Sequence, residues 1–230
     1  MLGRMIRAFA LSLGQLFDKA ILSILLRVVA LTLFFFLIFA ALLWWGADRA
    51  ADHYGWGRSG DVAAAIGAVV TGGLAAWLLF RVVAVTILNL FADSVVEAVE
   101  RKTYPQALAQ ARPVGLATSL RMALASAARA IGLNLLLLPL YVALLFTGGI
   151  GTALVFFIAN ALLLGRDLGE MVAVRHLDRG AIRAWLATTR AQRFTLGLVA
   201  TGLFVVPVAN LAAPILGAAM ATHLFHGRKS

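Results

Sequence analysis

The chain has 230 residues, of which 62% are hydrophobic and 13% charged, and its mean hydropathy is +0.94. These values exclude a soluble globular protein and predict one membrane domain over 1–230, with no room for a separate soluble catalytic domain. The net charge is +10, but the basic residues flank apolar segments. They therefore indicate contact with anionic lipid headgroups and not with nucleic acid. The absence of cysteine excludes disulfides and thiolate metal sites.

The N-terminal segment, 1–27, repeats apolar residues at the spacing of three and four that is typical of a helix. The apolar positions are Leu2, Ile6, Phe9, Leu13, Leu16, Ala20 and Ile24. Two placements fit this amphipathic helix equally well. It lies in the headgroup plane, or it packs on the rest of the protein.

Two helices that span the bilayer are predicted next. Residues 28–47 are uncharged and measure about 30 Å as a helix, which matches the hydrocarbon core. Residues 62–92 measure about 46 Å, so we expect the second helix to project beyond the bilayer. The loop between them, 48–61, has the composition of a turn.

The distribution of positive charge predicts one orientation. Of the 20 lysines and arginines, Arg49 and Arg58 lie in the loop between the spans and Arg81 lies within an apolar stretch. The other 17 fall outside these segments, largely in the polar segments 93–129 and 166–193 and at the two termini. Cytoplasmic loops carry the excess of basic residues, so both polar segments and both termini are predicted to be cytoplasmic.

Two long uncharged runs, 130–165 and 194–227, are each flanked by arginines and broken near the middle by glycine or proline. Each run predicts a helical hairpin that enters and leaves the bilayer on one side. The limbs of 13 to 17 residues are about 20–26 Å long and fall short of a ~30 Å core. This favours half-inserted hairpins over full crossings of a locally thinned bilayer. A turn at mid-bilayer must be buried in protein or line water, so we expect a homo-oligomer or a water-filled path.

The hairpins also carry the candidate anion-binding or pore residues. Helix N-termini inside the membrane favour anions, and Gly149 and Gly151 would allow close approach of an ion to the backbone. The alternative is that these glycines only allow the turn. Asn134, Asn160 and Asn210 are predicted either as interhelical hydrogen-bonding points or as pore-lining groups.

No enzyme, cofactor or metal site is predicted from local motifs. The signatures of serine hydrolases, zinc proteases and nucleotide-binding loops do not occur in the sequence. His223 and His226 have the spacing of a metal-binding pair, but no acidic residue lies near them in sequence. We therefore expect these histidines to mark the membrane interface.

Three sequence segments resemble the CysZ family of sulfate permeases, which is also called the etoposide-induced-protein domain family. They are Leu90–Glu100 (LFADSVVEAVE), Leu164–His176 (LGRDLGEMVAVRH) and Val206–Met220 (VPVANLAAPILGAAM). The resemblance implies a bacterial inner-membrane protein with two spanning helices and two half-inserted hairpins, which assembles as an oligomer and passes sulfate inward.

The resemblance also implies roles for particular residues. It places Pro207, Asn210 and Pro214 in a family turn, and Gly165, Arg166, Glu170 and Arg175 in a cytoplasmic family motif. Family members that handle sulfate carry a Gly-Leu-Arg element before the first span, where this chain offers Lys19 and, further on, Arg27. The first hypothesis is a permease or channel for a small anion, with sulfate favoured by the resemblance. The alternative is a membrane scaffold or assembly factor that does not transport.

Overall fold

A computed structural model describes residues 2–54, 72–73 and 92–227, and the regular secondary structure of these residues is entirely helical. The all-α membrane architecture is thus confirmed. The chain divides into two compact units, one formed by residues 1–22 and 92–230 and the other by residues 23–91. The helices are α1 (Leu2–Gln15), α2 (Lys19–Tyr54), α3 (92–103), α4 (Pro105–Ala109), α5 (Leu116–Leu145), α6 (Ile150–His176), α7 (Arg179–Thr188), α8 (Arg190–Val205) and α9 (Pro207–His226).

Helix α2 is longer than the predicted span of 28–47. It is continuous over 36 residues, and its apolar part is Lys19–Gly46. Beyond the apolar part it continues through a segment rich in alanine, which is a strong helix former. In the second unit, the Arg49 guanidinium lies 5.0 Å from the centre of the Trp45 ring, which is a cation–π contact. The second predicted span, 62–92, lies almost wholly outside the described residues.

The N-terminal segment forms two helices where one was predicted over 1–27, because α1 ends at Gln15 and a turn precedes α2. Helix α1 packs on α9 through a buried face that includes Met5, Ala8 and Ser12. Ile6 and Leu13, which belong to the predicted apolar stripe, are 60% and 44% exposed. Ala8 and Ser12 are small and allow the close approach to α9, whereas Ile6 and Leu13 remain available to lipid.

The first hairpin consists of α5 and α6, which run antiparallel. Its turn requires glycine, since Gly148 and Gly149 have φ angles of +71° and +81° in the left-handed region. Thr147 Oγ1 accepts a hydrogen bond from the Gly151 N–H and donates to the Leu144 carbonyl, so the turn satisfies part of its own backbone. Phe146, at the tip, is 91% exposed. An apolar tip of this kind suits contact with lipid.

The two hairpin helices extend past the uncharged run on which the prediction rested. They have 30 and 27 residues, more than the 13 to 17 residues predicted for a limb, because both helices continue into the polar segments at the base of the hairpin. Among the described residues, three helices are long and apolar enough to cross a membrane, namely Lys19–Gly46, Ala117–Leu145 and Ile150–His176. How deeply the hairpin inserts stays a prediction.

The second hairpin consists of α8 and α9, joined by a bend at Val206. Pro207 occupies the first position of α9, where its missing N–H costs nothing, so the helix begins at this proline. Gln192 Nε2 donates to the Leu224 carbonyl, which ties the start of α8 to the end of α9. From Ala213 onward α9 is almost entirely buried, in contact with α1, α6 and α8. It is therefore the central helix of the first unit.

Helices α6 and α8 meet at two glycines. A Cβ at Gly165 would overlap the Arg193 carbonyl, and a Cβ at Gly197 would overlap the Ala161 carbonyl. The two backbones are thus in direct contact, as in membrane helix pairs that place small residues at their crossing. This crossing fixes the base of the first hairpin against α8 and so positions the charged residues described next.

Candidate functional site

A buried glutamate organises the polar residues of the first unit. Helix α3 buries one face, and Val95, Val96 and Val99 share it with Glu100, whose exposed fraction is 0%. Pro105 disfavours helical geometry at the preceding residue, so α3 ends and Tyr104 leaves the helix with φ −134° and ψ 55°. The same break starts α4 at Pro105. The helix end therefore carries Glu100 and Tyr104 into the interior together.

We call Glu100, Arg175, His176 and His226 the glutamate cluster. Glu100 Oε1 lies 2.6 Å from His176 Nε2 and 3.0 Å from His226 Nε2. Arg175 Nη2 donates to the other oxygen, Oε2, at 3.3 Å. The four residues come from α3, α6 and α9, and all are buried or nearly so. In this arrangement both imidazoles donate to one carboxylate oxygen and the guanidinium donates to the second.

The surroundings of Glu100 favour its charged form. Burial alone would raise the pKa of Glu100, but hydrogen bonds from His176 and His226 and the charges of His176 and Arg175 lower it to about 2. The pKa of Asp93, near the start of the same helix, shifts in the opposite direction. Burial raises the pKa of Asp93, and the positive charge of Arg175 only partly opposes this. The cluster therefore holds an ionised carboxylate at neutral pH.

A second chain of hydrogen bonds lies beside the glutamate cluster. His223 Nε2 contacts Gln15 Oε1 at 3.0 Å, and Tyr104 Oη lies 3.0 Å from His223 Nδ1. Gln15 Nε2 in turn donates to Thr103 Oγ1 at 2.9 Å. The amide oxygen can only accept, so His223 donates from Nε2 and accepts from Tyr104 at Nδ1. This chain joins α1, the end of α3 and α9.

A second group of charges lies where α5 meets α6, and we call Arg129, Arg166, Asp167 and Glu170 the arginine cluster. Arg129 Nη2 lies 2.9 Å from Asp167 Oδ1, and Ser126 Oγ donates to Asp167 Oδ2 at 2.5 Å. Glu170 Oε2 lies 3.5 Å both from Arg129 Nη2 and from Arg166 Nε. Contacts of 3.5 Å are too long for strong charge-assisted hydrogen bonds. The two arginines are thus drawn to Glu170 without being fully engaged by it.

The arginine cluster leaves hydrogen-bonding capacity unused. The Nε atoms of Arg129 and Arg166 and the Oε2 atom of Glu170 are buried and have no hydrogen-bond partner among the described residues. Buried polar atoms without a partner are rare and call for an explanation such as a water or an ion. Guanidinium N–H groups of this kind bind the oxygens of an oxyanion well.

The motif residues that build both clusters lie within a recognisable family region. The family model described as "Sulfate transporter CysZ/Etoposide-induced protein 2.4" matches residues 8–214. The chain belongs to this family. No curated protein matches the chain. Membership supports a membrane protein with functions of the sulfate-transporter type, and the architecture agrees with this.

The family-motif residues separate in space. Gly165 lies at the crossing of α6 and α8, while Arg166 and Glu170 belong to the arginine cluster. Arg175 lies further along α6 in the glutamate cluster, where its carbonyl also accepts the Arg112 N–H. One stretch of α6 thus contributes residues to the crossing and to both clusters.

The candidate residues of the first hairpin are not in either cluster. Asn134 Nδ2 donates to the Ala130 carbonyl, and Asn160 Nδ2 donates to the Phe156 carbonyl, each within its own helix. Tyr141 Oη donates to Asn134 Oδ1, again within α5. These bonds satisfy the asparagines locally and do not join two helices.

The remaining candidates lie at the ends of elements. Gly149 caps α6, and a Cβ at Gly151 would come within 2.9 Å of Thr147 Oγ1, so close packing of the turn explains Gly151. Lys19 and Arg27 are exposed on α2, and Asn210 is exposed in the first turn of α9. Neither Lys19 nor Asn210 belongs to either cluster. Pro207 begins α9, and Pro214 lies inside it.

Sequence reasoning did not identify Glu100, His176 and His226 as one group. No carboxylate lies near His226 in sequence, yet Glu100 is 126 residues away along the chain and only 3.0 Å away in space. One signal was available. Glu100 falls on the otherwise valine-lined face of an amphipathic helix, which indicates a buried and therefore partnered charge.

Proposed function

We propose that the protein is a permease or channel for a small oxyanion of the sulfate type. Transport would be passive or ion-coupled, without ATP hydrolysis or other enzymatic activity of its own. We place it in a bacterial inner membrane as a homo-oligomer with both termini in the cytoplasm. Family membership over residues 8–214 supports the substrate class, and the charge distribution along the sequence supports the orientation.

The observation that carries this proposal is the unused donor capacity of the arginine cluster. Among the described residues, Arg129 and Arg166 each keep a buried Nε without a hydrogen-bond partner, and Glu170 contacts them only at 3.5 Å. Arg193, at the start of α8, lies within electrostatic reach of Arg166 and Glu170. Three guanidinium charges thus lie near two carboxylates, which leaves a positive excess at the base of the first hairpin, and Arg193 itself donates to Thr189 Oγ1 and the Leu186 carbonyl. An arriving oxyanion would complete the hydrogen bonds of the planar guanidinium groups.

Sulfate uptake into proteoliposomes tests the role of the arginine cluster. Arg129→Lys and Arg166→Lys keep the charge but remove the guanidinium fork. A charge-assisted hydrogen bond contributes about 1.5–3 kcal/mol, so we expect the apparent KM for sulfate to rise about tenfold or more in each variant. Arg101→Lys is the matched control, because Arg101 is 70% exposed and, within the part of the chain that the structure describes, pairs only with Glu97 on its own helix. KM values equal to that of the control would remove the arginine cluster from the transport path.

The hairpin tips and basic ends remain proposed contacts of the anion. Lys19 and Arg27 would attract it at the mouth of the path. Asn210 would contact it near the tip of the second hairpin, and Gly149 and Gly151 would do so at the tip of the first. Lys19→Ala and Asn210→Ala are the sharpest tests, since both residues are exposed and their loss should leave packing intact. Unchanged sulfate uptake in both variants would exclude these two residues from the mechanism.

A non-transporting scaffold or assembly factor is the second candidate function. It is favoured by the amount of apolar surface on the first hairpin, where Phe146 and Ile150 are exposed at the tip and Leu135 and Leu136 along α5. Such a surface would also suit docking to another membrane protein. Purified protein in liposomes separates the two functions. If sulfate, sulfite, phosphate and chloride all fail to cross, the scaffold is favoured and the permease is rejected.

A further inference from the structure

The glutamate cluster brings three metal-ligating atoms together. Glu100 Oε1, His176 Nε2 and His226 Nε2 all lie within 4.8 Å of one another. They come from α3, α6 and α9, which are far apart in sequence and meet only in the folded chain. We propose that these three residues form a binding site for a divalent transition-metal ion, with zinc as the best fit.

The type and number of ligands favour zinc. Two imidazole nitrogens and one carboxylate oxygen are a set that zinc accepts in proteins, with a fourth position left to water. Calcium and magnesium prefer oxygen ligands, so two imidazoles disfavour them. In a tetrahedral site with bonds of ~2.1 Å, ligand atoms lie about 3.4 Å apart. Glu100 Oε1 lies 2.6 Å and 3.0 Å from the two nitrogens, so a small rotation of its carboxylate would open the space that an ion needs.

The groups around the triad hold the ligands in place. Arg175 Nη2 donates to Glu100 Oε2, so Oε1, which the two imidazoles share, would be the single oxygen that binds the ion. Hydrogen bonds of this kind to a ligating carboxylate are typical of metal sites. The Phe225 ring stacks on His176 at 5.5 Å and meets His226 edge-on at 5.1 Å, which fixes both imidazole planes. The site is therefore buried, oriented and largely closed to competing water.

The charge of Arg175 works against a cation and limits the affinity. Glu100 offsets one charge of a divalent ion, and Asp93 lies on the same helix within electrostatic reach of Arg175. Burying the ion together with the charges of Glu100 and Arg175 is costly unless these groups are well paired. We therefore expect binding that a strong chelator reverses. The bound ion would hold α3 to α6 and α9 and would act as a structural link of the first unit.

The test uses full-length, tag-free protein in detergent, because a polyhistidine tag would itself bind metal. The protein is stripped with EDTA, dialysed against zinc and then against metal-free buffer, and its zinc content is measured. We expect about one zinc per chain, as for a single site of three protein ligands. Cobalt added to the stripped protein should give the visible absorption of a four-coordinate site. Zinc should also raise the apparent Tm of the stripped protein by several degrees.

His226→Gln should abolish zinc retention, the cobalt absorption and the rise in Tm. His223→Gln is the matched control, because His223 is also buried on α9 but bonds to Gln15 and Tyr104. It should keep all three signals. If His226→Gln fails to fold, Glu100→Gln replaces it, since glutamine keeps the shape and loses the charged ligand. Absence of zinc and of the cobalt absorption from the wild-type protein would overturn the proposal and leave a hydrogen-bonded cluster. Retention of zinc by a folded His226→Gln or Glu100→Gln variant would do the same.

Discussion

Replacing Gly197 with alanine should separate α6 from α8 and destabilise the protein. The added methyl group would overlap the Ala161 carbonyl, which is backbone and cannot rotate away as a side chain would. Ordinary contact requires the two helices to move apart over the length of their interface. The same movement would loosen the base of the first hairpin, where the arginine cluster lies.

The magnitude follows from comparison with a second glycine on the same helix. Gly202 lies in α8, and no described atom beyond its own helix backbone and chain neighbours lies within 4 Å of a Cβ placed there. Gly202→Ala should therefore gain only helix propensity, about 1 kcal/mol. Gly197→Ala gains the same amount but also carries the cost of overpacking, about 1–3 kcal/mol. The difference between the two variants therefore isolates the overpacking cost. For a chain of this size it corresponds to an apparent Tm difference on the order of 5 °C.

The assay is thermal unfolding of both variants in the same detergent at the same scan rate, because unfolding of such proteins is often irreversible. Gly165→Ala, whose methyl would overlap the Arg193 carbonyl, should behave like Gly197→Ala. If Gly197→Ala and Gly202→Ala have the same apparent Tm, the two backbones are not in contact and the described crossing of α6 and α8 is wrong.

Three further predictions concern the cap of α7, the arginine cluster and the membrane orientation. Asp178 Oδ1 accepts the Ala181 N–H at 2.7 Å, so Asp178→Ala should cost about 1 kcal/mol of stability in thermal unfolding. Asp178→Asn should cost little, because asparagine keeps the acceptor oxygen. A double-mutant cycle of Arg129→Gln and Asp167→Asn should give a coupling of about 1 kcal/mol, and additive effects would show that their 2.9 Å contact contributes nothing. In this cysteine-free chain, Gly57→Cys should react with an impermeant thiol reagent only from outside the cell, and labelling from both sides would contradict the single predicted orientation.

The breaks between hairpin helices could be predicted from sequence because they depend on local chemistry. Two adjacent glycines reach φ values that other residues rarely adopt, and Pro207 begins a helix as readily as it ends one. The helix lengths could not be predicted in the same way. The predicted limbs contain only uncharged residues, whereas arginine and glutamate are good helix formers, so α5 and α6 continue through Arg129 and Glu170.

The burial of individual helices could not be predicted from the sequence either, but for a different reason. In a chain this apolar, periodicity alone does not tell whether a hydrophobic face meets lipid or protein. Helix α9 is apolar all round and lies at the centre of the first unit, while α1 turns Ala8 and Ser12 inward and leaves Ile6 exposed. In water the hydrophobic effect would favour the bulky face inside. In a membrane, close packing of small residues decides instead.

The arginine cluster bears on how deeply the first hairpin inserts. Arg129 and Asp167 pair at the same level of α5 and α6, and both remain about one-quarter to one-third exposed, at 26% and 31% of their side chains. Charges with that exposure are stable near the headgroups and costly at the centre of the bilayer. From Arg129 to Leu145, at the end of α5, the helix rises about 24 Å, which is less than a ~30 Å hydrocarbon core. If the cluster stays at the cytoplasmic headgroups, the apolar tip at Phe146 stops short of the opposite surface. The pairing of two charges, and not the count of apolar residues alone, therefore favours a half-inserted hairpin.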